Sequence, residues 1–218
     1  MHRFLVEEGA KQASIEDVTS QALPLLTDAA KPERLENDWI TNFFDKSRII
    51  SDSQMQQLWS RLLAGEANVP GTFSRRTVNL ISDLDKRDAE LFASLSQFAC
   101  LVGDFTPLVF DFDEEPQMRH GITFASLSHL EFLGLIQLST LGGFSRAKLP
   151  EKFAVSYFET RVTITLPPSA GDSIGIGHVL FTKAGKELFT ISGERAVDGF
   201  LDSVCDRWKR EGLTIESA

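Results

Sequence analysis

A chain of 218 residues can hold one large domain or two small ones, and its 42% of hydrophobic residues can fill a core, which excludes a globally disordered protein. The formal net charge of -9 argues against broad nucleic-acid binding, because such binding draws most of its affinity from Lys and Arg. A local basic face can still exist on an acidic protein.

Residues 1–30 are predicted as a helical segment, which Pro24 must kink or end. After Pro32, which suits a first helical turn, a second apolar stripe runs through Leu35, Trp39, Ile40, Phe43 and Phe44. Glu7 and Glu8 fall where the apolar part of a secretory signal would begin, and no apolar run is long enough for a bilayer span. The sequence therefore predicts a cytoplasmic protein.

The best-marked helix begins at Ser51, which is predicted to form a capping box with Gln54. Its apolar residues share one stripe at helical spacing: Met55, Leu58, Trp59, Leu62 and Leu63. Gly65 is expected to end this helix in a left-handed conformation. Pro70-Gly71 predicts a turn.

After that turn, Thr72 or Ser74 can cap a further helix, and Asp85 can cap the next one. Four helices joined by short turns then occupy residues 31–102, which we interpret as a helical bundle. The two cysteines, Cys100 and Cys205, stand among apolar residues on predicted helices. We expect both to be buried free thiols in a reducing compartment.

Residues 103–218 have a different pattern. An acidic stretch, GDFTPLVFDFDEEP, precedes a short helix, TFASLSHLEFL, and the segments LIQLST, FAVSYFETRVTITLP and IGHVLFT then favour strands. A helix with Trp208 on its apolar face closes the chain. The order of helix, strand, hairpin and the phrases HLEFLGLI and VLFTKAGKELF resembles a winged helix. The predicted fold class is therefore α+β, with an N-terminal helical bundle, a winged-helix-like α+β domain and a C-terminal helix.

The run from Trp39 to Phe92 closely resembles a bacterial family of uncharacterised proteins. The resemblance is carried by a W-x-x-F-F segment, a Q-x-L-W-x-x-L-L-A-G-E helix and P-G-x-F-S-x-R-T, and with GLI and FTKAGKELF it covers residues 30–210. It implies a domain of unknown function. A similar helical stretch occurs in proteins linked to abortive-infection defence against phage. Because members often have more chain upstream, and RFLVEEGAKQASIEDV looks helical, we expect this chain to be the C-terminal part of a longer protein.

The adjacent arginines Arg75 and Arg76 have two interpretations. At a helix start, with free backbone N–H groups beside them, they could hold a phosphate. Alternatively, one could pair with Glu66 across the turn while the other is solvated. We favour the second interpretation, in which four residues form a structural corner: Trp59, Gly65, Glu66 and Ser74.

Catalytic and metal motifs are missing from the sequence. The four histidines, His2, His120, His129 and His178, have no metal-ligand spacing. The DFDEE run lacks EF-hand spacing and favours a solvated loop. There is no G-x-S-x-G elbow and no P-loop, and the G-x-G of SIGIGH lies in a predicted strand. We therefore expect no metal, no cofactor and no catalysis by this chain.

The helix TFASLSHLEFL holds no Arg or Lys, which direct readout of DNA bases would favour. Its Phe124, Leu127, Leu130 and Phe132 are more apolar than one buried stripe requires, which predicts a protein partner, most simply a second copy of the chain. The leading hypothesis is a non-enzymatic interaction or regulatory module. The alternative is a DNA-binding winged-helix regulator, which would need these cations on one face: Arg75, Arg76, Arg146, Lys148, Lys152, Lys183 and Lys186.

Overall fold

Helices fill the first part of the chain, and antiparallel strands with three further helices follow, in a computed structural model that describes residues 2–168, 171–193 and 195–217. The contacts within the chain divide it into two compact units. Unit 1 comprises Met1–Ala89 and Glu187–Ser192, and unit 2 comprises Glu90–Lys186 and Gly193–Ala218. The predicted α+β class is confirmed. No helix in these described ranges has both the length and the apolar character that a membrane span requires.

Five helices account for the first part of the chain: α1 (His2–Ala22), α2 (Asn37–Ser47), α3 (Ser53–Asn68), α4 (Arg75–Ser82) and α5 (Lys86–Ser96). α1 ends before Pro24, as predicted, and a short 3-10 turn, Leu23–Leu25, follows it. A cluster of aromatic rings lies in the core of unit 1. Phe43 stacks on Trp39 and meets Trp59 edge-on, with ring centroids 5.2 Å apart in both pairs. Trp59 is fully buried, as the apolar stripe predicts.

Both predicted ends of α3 are wrong. Its N-cap is Asp52 rather than Ser51, and the Asp52 carboxylate accepts hydrogen bonds from the N–H groups of Gln54 and Met55. The bond from Met55 lowers the pKa of Asp52, because it stabilises the ionised cap. At the other end α3 continues to Asn68, so Gly65 lies inside the helix. A Cβ atom at Gly65 would lie 2.8 Å from the ring of Phe73, which explains the glycine without a left-handed backbone.

Unit 2 contains the strands β1 (Ala99–Val102), β2 (Asp104–Pro107), β3 (Ile136–Leu138), β4 (Phe144–Arg146), β5 (Lys152–Tyr157), β6 (Thr160–Thr165), β7 (Ile174–Gly177), β8 (Val179–Phe181) and β9 (Thr214–Ser217). Five of them form an antiparallel sheet in the order β2-β1-β5-β6-β9. β3 with β8 and β4 with β7 form two separate two-stranded sheets. The later helices are α6 (Phe124–Phe132), α7 (Lys183–Ser192) and α8 (Phe200–Arg210).

The structure does not confirm the winged helix predicted for this unit. α6, β3, β8 and the start of α7 follow in the expected order, but β4 pairs with β7 and the β5–β6 hairpin belongs to the larger sheet. Cys100 lies on β1 rather than on a helix, since its segment pairs with β2 in a hairpin. Both cysteines are buried and free, as expected, and burial raises the pKa of each thiol.

Close packing joins the end of α6 to the start of α7. The Thr182 hydroxyl accepts a hydrogen bond from the Gly185 N–H and lies 2.7 Å from the Gly134 carbonyl oxygen, to which it donates. The Leu135 carbonyl oxygen occupies the position that a Cβ atom at Gly185 would take. The phrases GLI and FTKAG therefore mark a contact between backbones. On β5, Tyr157 is held by hydrogen bonds to backbone groups of Gln97 and Val197, and burial raises its pKa to about 12.

Candidate functional site

The turn between α3 and α4, residues 69–74, is held by a buried carboxylate. Glu66 is only 4% exposed, and its two oxygens accept separate hydrogen bonds, one from the Gly71 N–H at 2.6 Å and one from the Phe73 N–H at 2.7 Å. Gly71 has a φ of +92°, a backbone conformation that glycine tolerates. Two donors therefore meet one anionic acceptor, which is a strong arrangement inside a core.

A second buried carboxylate, Glu187 on α7, fixes the end of the same turn. One oxygen accepts from the Ser74 N–H at 2.9 Å and lies 3.3 Å from the Ser74 hydroxyl. The Ser74 side chain caps α4 by accepting from the Thr77 N–H, as predicted. The indole N–H of Trp39 donates to the Phe73 carbonyl at 2.8 Å. Side chains from three helices therefore satisfy the backbone of this turn. From here on, the corner means the turn of residues 69–74 together with Trp39, Glu66 and Glu187, which bind its backbone.

The predicted ion pair between Glu66 and an adjacent arginine is wrong. The buried Glu66 carboxylate accepts hydrogen bonds from backbone N–H groups, whereas Arg75 lies on the surface, 3.7 Å from Asp38. The side chains of Arg75 and Asp38 are 60% and 83% exposed, so this pair is weak. Arg76 is also exposed.

A cleft of about 680 Å³ opens beside the corner, and we call it the corner cleft. Segments 29–39 and 66–75 line it, and their charged members are Lys31, Arg34, Glu36, Glu66 and Arg75. Arg76 is not part of the lining.

Backbone contacts fix one wall of the corner cleft. The Asn68 amide group donates to the Leu25 carbonyl, and its oxygen accepts from the Thr27 N–H. The Lys31 N–H donates to the Ala67 carbonyl at 2.8 Å. The segment that carries Lys31 and Arg34 is therefore anchored to the end of α3.

The predicted apolar surface of α6 is smaller than its sequence suggests. Leu127 and Leu130 are fully buried, so neither is available to a partner. Phe124 is 49% exposed and meets Phe112 edge-on, and Phe132 is 87% exposed. The sequence could not separate the buried side of this helix from its exposed side, because both carry large apolar residues.

Several candidate cations of unit 2 already contact oxygen atoms. Arg146 donates to the Thr106 hydroxyl at 3.2 Å. Lys152 pairs with Glu216 at 2.8 Å, and Lys186 pairs with Asp104. Lys148 is exposed and has a φ of +61°, which is uncommon for a residue with a side chain.

The first half of α1 was not recognised as a site from sequence. Every residue from His2 to Ala10 is exposed, and Phe4, Leu5 and Val6 are 63%, 61% and 58% exposed. Three consecutive helical residues span about 200° of the helix surface, so one stripe could not bury them. The buried residues of α1 are Ser14, Val18 and Ala22, all further along the helix.

Two carboxylates of the acidic loop after β2 form ion pairs with arginines. Glu115 pairs with Arg119 at 2.8 Å, and Glu114 lies 3.8 Å from Arg207. Across the described ranges, no group of three or more His, Cys, Asp or Glu side chains is placed to hold a metal ion.

Comparison with known proteins places the chain in a family. No curated protein and no solved structure matches it. A family model described as "Protein of unknown function (DUF2806)" matches residues 1–205, nearly the whole chain. The expected membership of a family of unknown function is confirmed: the chain belongs to the DUF2806 family.

Proposed function

We propose that this chain is a non-enzymatic interaction module of a cytoplasmic bacterial protein, and that it pairs with a second copy of itself through the first turns of α1. The observation that carries the proposal is the exposure of Phe4, Leu5 and Val6 on a helix segment whose other described residues are exposed as well. A contiguous apolar group of this kind usually marks an interface.

The energetics of an isolated helix support this assignment. Helical stability in proteins comes mostly from packing of a buried face, and a short unsupported helix is marginal in water. Residues His2 to Ala10 have no buried face within the described chain. The ion pairs Arg3–Glu7 and Lys11–Glu8, at 2.7 and 2.6 Å, are exposed and add little. A second copy that covers Leu5 would supply the missing packing, and so would preceding residues if the chain is part of a longer protein.

The charge pattern of this segment fits a second copy in antiparallel orientation. His2 and the cation Arg3 precede the apolar triplet, and two acidic residues, Glu7 and Glu8, follow it. The imidazole of His2 can donate a hydrogen bond to a carboxylate. A two-fold axis at Leu5 would bring Leu5 against its own copy, with Phe4 and Val6 on either side of the contact. His2 of one copy would then lie beside Glu8 of the other. A two-fold interface requires this kind of self-complementarity.

The other surfaces favour a protein partner over DNA. α6 exposes Phe124 and Phe132 and carries no Arg or Lys. The formal net charge of -9 also weighs against the DNA-binding alternative, because nucleic-acid binding draws most of its affinity from Lys and Arg. A role in defence against phage is supported only by the resemblance of the helical stretch.

The test is the molecular mass in solution, measured by sedimentation equilibrium at several protein concentrations. The unchanged chain should form a dimer, and Leu5→Glu should be monomeric. Ile49→Glu is the matched control, because Ile49 is an aliphatic residue of unit 1 with 67% exposure, and this variant should remain dimeric. Glu8→Lys should weaken the dimer, and His2→Glu combined with Glu8→Lys should restore it.

Three outcomes would contradict the proposed dimer. The unchanged chain could be monomeric at about 100 µM, a concentration at which even a weak specific dimer forms. Ile49→Glu could dissociate the dimer as much as Leu5→Glu does. Phe132→Glu could dissociate it while Leu5→Glu does not, which would move the interface to α6. Turnover in a broad enzyme screen, abolished by one carboxylate or histidine substitution, would overturn the non-enzymatic part.

A further inference from the structure

We infer that the corner cleft is a binding site for a small ligand carrying two or more negative charges. Its volume of about 680 Å³ suits such a ligand, since small-molecule sites occupy roughly 300–1,000 Å³. The cleft lies within unit 1 and does not involve the first turns of α1.

The charge of the lining runs opposite to that of the whole chain. The lining includes three cations, Lys31, Arg34 and Arg75, and two carboxylates, Glu36 and Glu66, whereas the chain carries a formal net charge of -9. A locally positive cleft on an acidic protein concentrates anions.

The three cations are available to a ligand. Lys31 and Arg34 are exposed, and neither forms an ion pair with any residue that the structure describes. Arg75 is 3.7 Å from Asp38, and the exposure of both side chains makes that contact weak. An anion in the cleft can therefore replace Asp38 as the partner of Arg75.

The carboxylate of Glu66 does not compete for these cations. Both of its oxygens accept backbone N–H groups of the turn, those of Gly71 and Phe73, and the side chain is almost fully buried. With Glu66 engaged by the turn, the charged groups left in the lining are three cations, Lys31, Arg34 and Arg75, and one carboxylate, Glu36, an excess of two positive charges.

Guanidinium groups define the ligand chemistry. Each arginine presents a planar fork that matches the two oxygens of a carboxylate or a phosphate, while lysine adds a point charge. Two forks and one ammonium group suit a ligand with at least two anionic groups, either a diphosphate or a polycarboxylate. The same three cations would recognise both kinds of ligand, and the probe that binds distinguishes a diphosphate from a polycarboxylate.

The experiment is calorimetric titration at low salt with two probes, inorganic pyrophosphate and citrate. Arg34→Gln and Arg75→Gln should each weaken binding at least about tenfold, because each removes a charge-assisted contact. Arg76→Gln is the matched control, since Arg76 is the exposed neighbour of Arg75 but lies outside the lining, and it should change the affinity by less than about twofold. Asp38→Asn should tighten binding about two- to threefold by releasing Arg75.

Binding of pyrophosphate alone assigns a phosphate ligand, binding of citrate alone a polycarboxylate, and binding of both supports their shared recognition. The inference is overturned if neither probe binds at about 10 mM. It is also overturned if Arg76→Gln weakens binding as much as Arg75→Gln, because that result indicates a diffuse surface charge. The Leu5→Glu variant should bind the same probe with unchanged affinity, so this site and the proposed dimer can fail separately.

Discussion

Two glycines inside helices, one in each unit, contact very different neighbours. Gly65 in α3 and Gly185 in α7 both have ordinary helical backbones. A Cβ atom at Gly65 would meet the edge of the Phe73 ring, whereas one at Gly185 would overlap the Leu135 carbonyl. A ring can move by a few tenths of an ångström, but a carbonyl held in a backbone cannot. The neighbour of Gly65 in unit 1 can therefore move to accept a Cβ atom, whereas the neighbour of Gly185 in unit 2 cannot.

The polar groups beside these glycines differ in a parallel way. In the corner, the N–H groups of the turn are paired with buried anions, Glu66 and Glu187. Beside Gly185, backbone carbonyls are paired with a neutral hydroxyl, that of Thr182. Anionic acceptors form stronger hydrogen bonds than neutral groups do. Unit 1 therefore depends on charge at its turn, and unit 2 depends on close fit.

The largest effect is expected from Gly185→Ala. The added Cβ would force the start of α7 away from Leu135 and strain the Thr182 hydrogen bonds, which should cost about 3–5 kcal/mol of unfolding free energy. Urea unfolding followed by circular dichroism measures this change. Gly175→Ala is the control, because a Cβ there meets open space. A loss of less than about 1 kcal/mol for Gly185→Ala would show that the contact is not rigid.

Glu66→Ala should have the next largest effect. It leaves the buried N–H groups of Gly71 and Phe73 without their acceptor, and the expected loss of stability is about 2–4 kcal/mol in urea unfolding. The matched control is Arg75→Ala, which removes only an exposed ion pair and should cost less than about 0.5 kcal/mol. Equal effects of the two substitutions would revive an ion pair between them and contradict the comparison.

For the helices and the turn around the corner, the sequence predicted the local features better than the contacts between distant residues. Helical spacing placed Trp59 in the core, and the turn signal of Pro70-Gly71 and the Ser74 cap were correct, because these features act over a few neighbouring residues. The partner of Glu66 was wrong because a charge pattern cannot show whether a carboxylate faces an arginine or backbone N–H groups. Glu187 was missed entirely, since it comes from a segment 113 residues away from Ser74.

The candidate binding surfaces were less predictable still. Leu127 and Phe132 share one apolar helix, and only tertiary packing decides that the first is buried and the second exposed. The exposed triplet at Phe4–Val6 looked like an ordinary helix start, because exposure depends on what packs against it. The corner cleft requires Lys31 and Arg75 to line the same space. They do so because the Asn68 side chain and the Lys31 N–H hold the segment of Lys31 against the end of α3.

Gly65→Ala tests the tolerant half of the comparison. The clash with the Phe73 ring is offset in part by the better helix propensity of alanine, so the net loss of stability should be about 1–2 kcal/mol. In a Phe73→Leu background, Gly65→Ala should cost less than it does in the unchanged chain, because the shorter side chain leaves space for the Cβ. An equal cost in both backgrounds, again by urea unfolding, would show that the ring is not what the alanine meets.

Ser74→Ala should have the smallest effect of the four and separates the two anions of the corner. The substitution removes the hydroxyl that caps α4 at Thr77 and that contacts Glu187, but it keeps the Ser74 N–H, which still donates to Glu187 at 2.9 Å. The expected loss is therefore that of one N-cap, about 1 kcal/mol in urea unfolding. Ser74→Asp should retain the cap yet place a carboxylate beside Glu187, and repulsion should then make it less stable than Ser74→Ala. If Ser74→Asp is instead more stable than the unchanged chain, Glu187 does not hold the start of α4 as an anion, and the charge dependence of unit 1 rests on Glu66 alone.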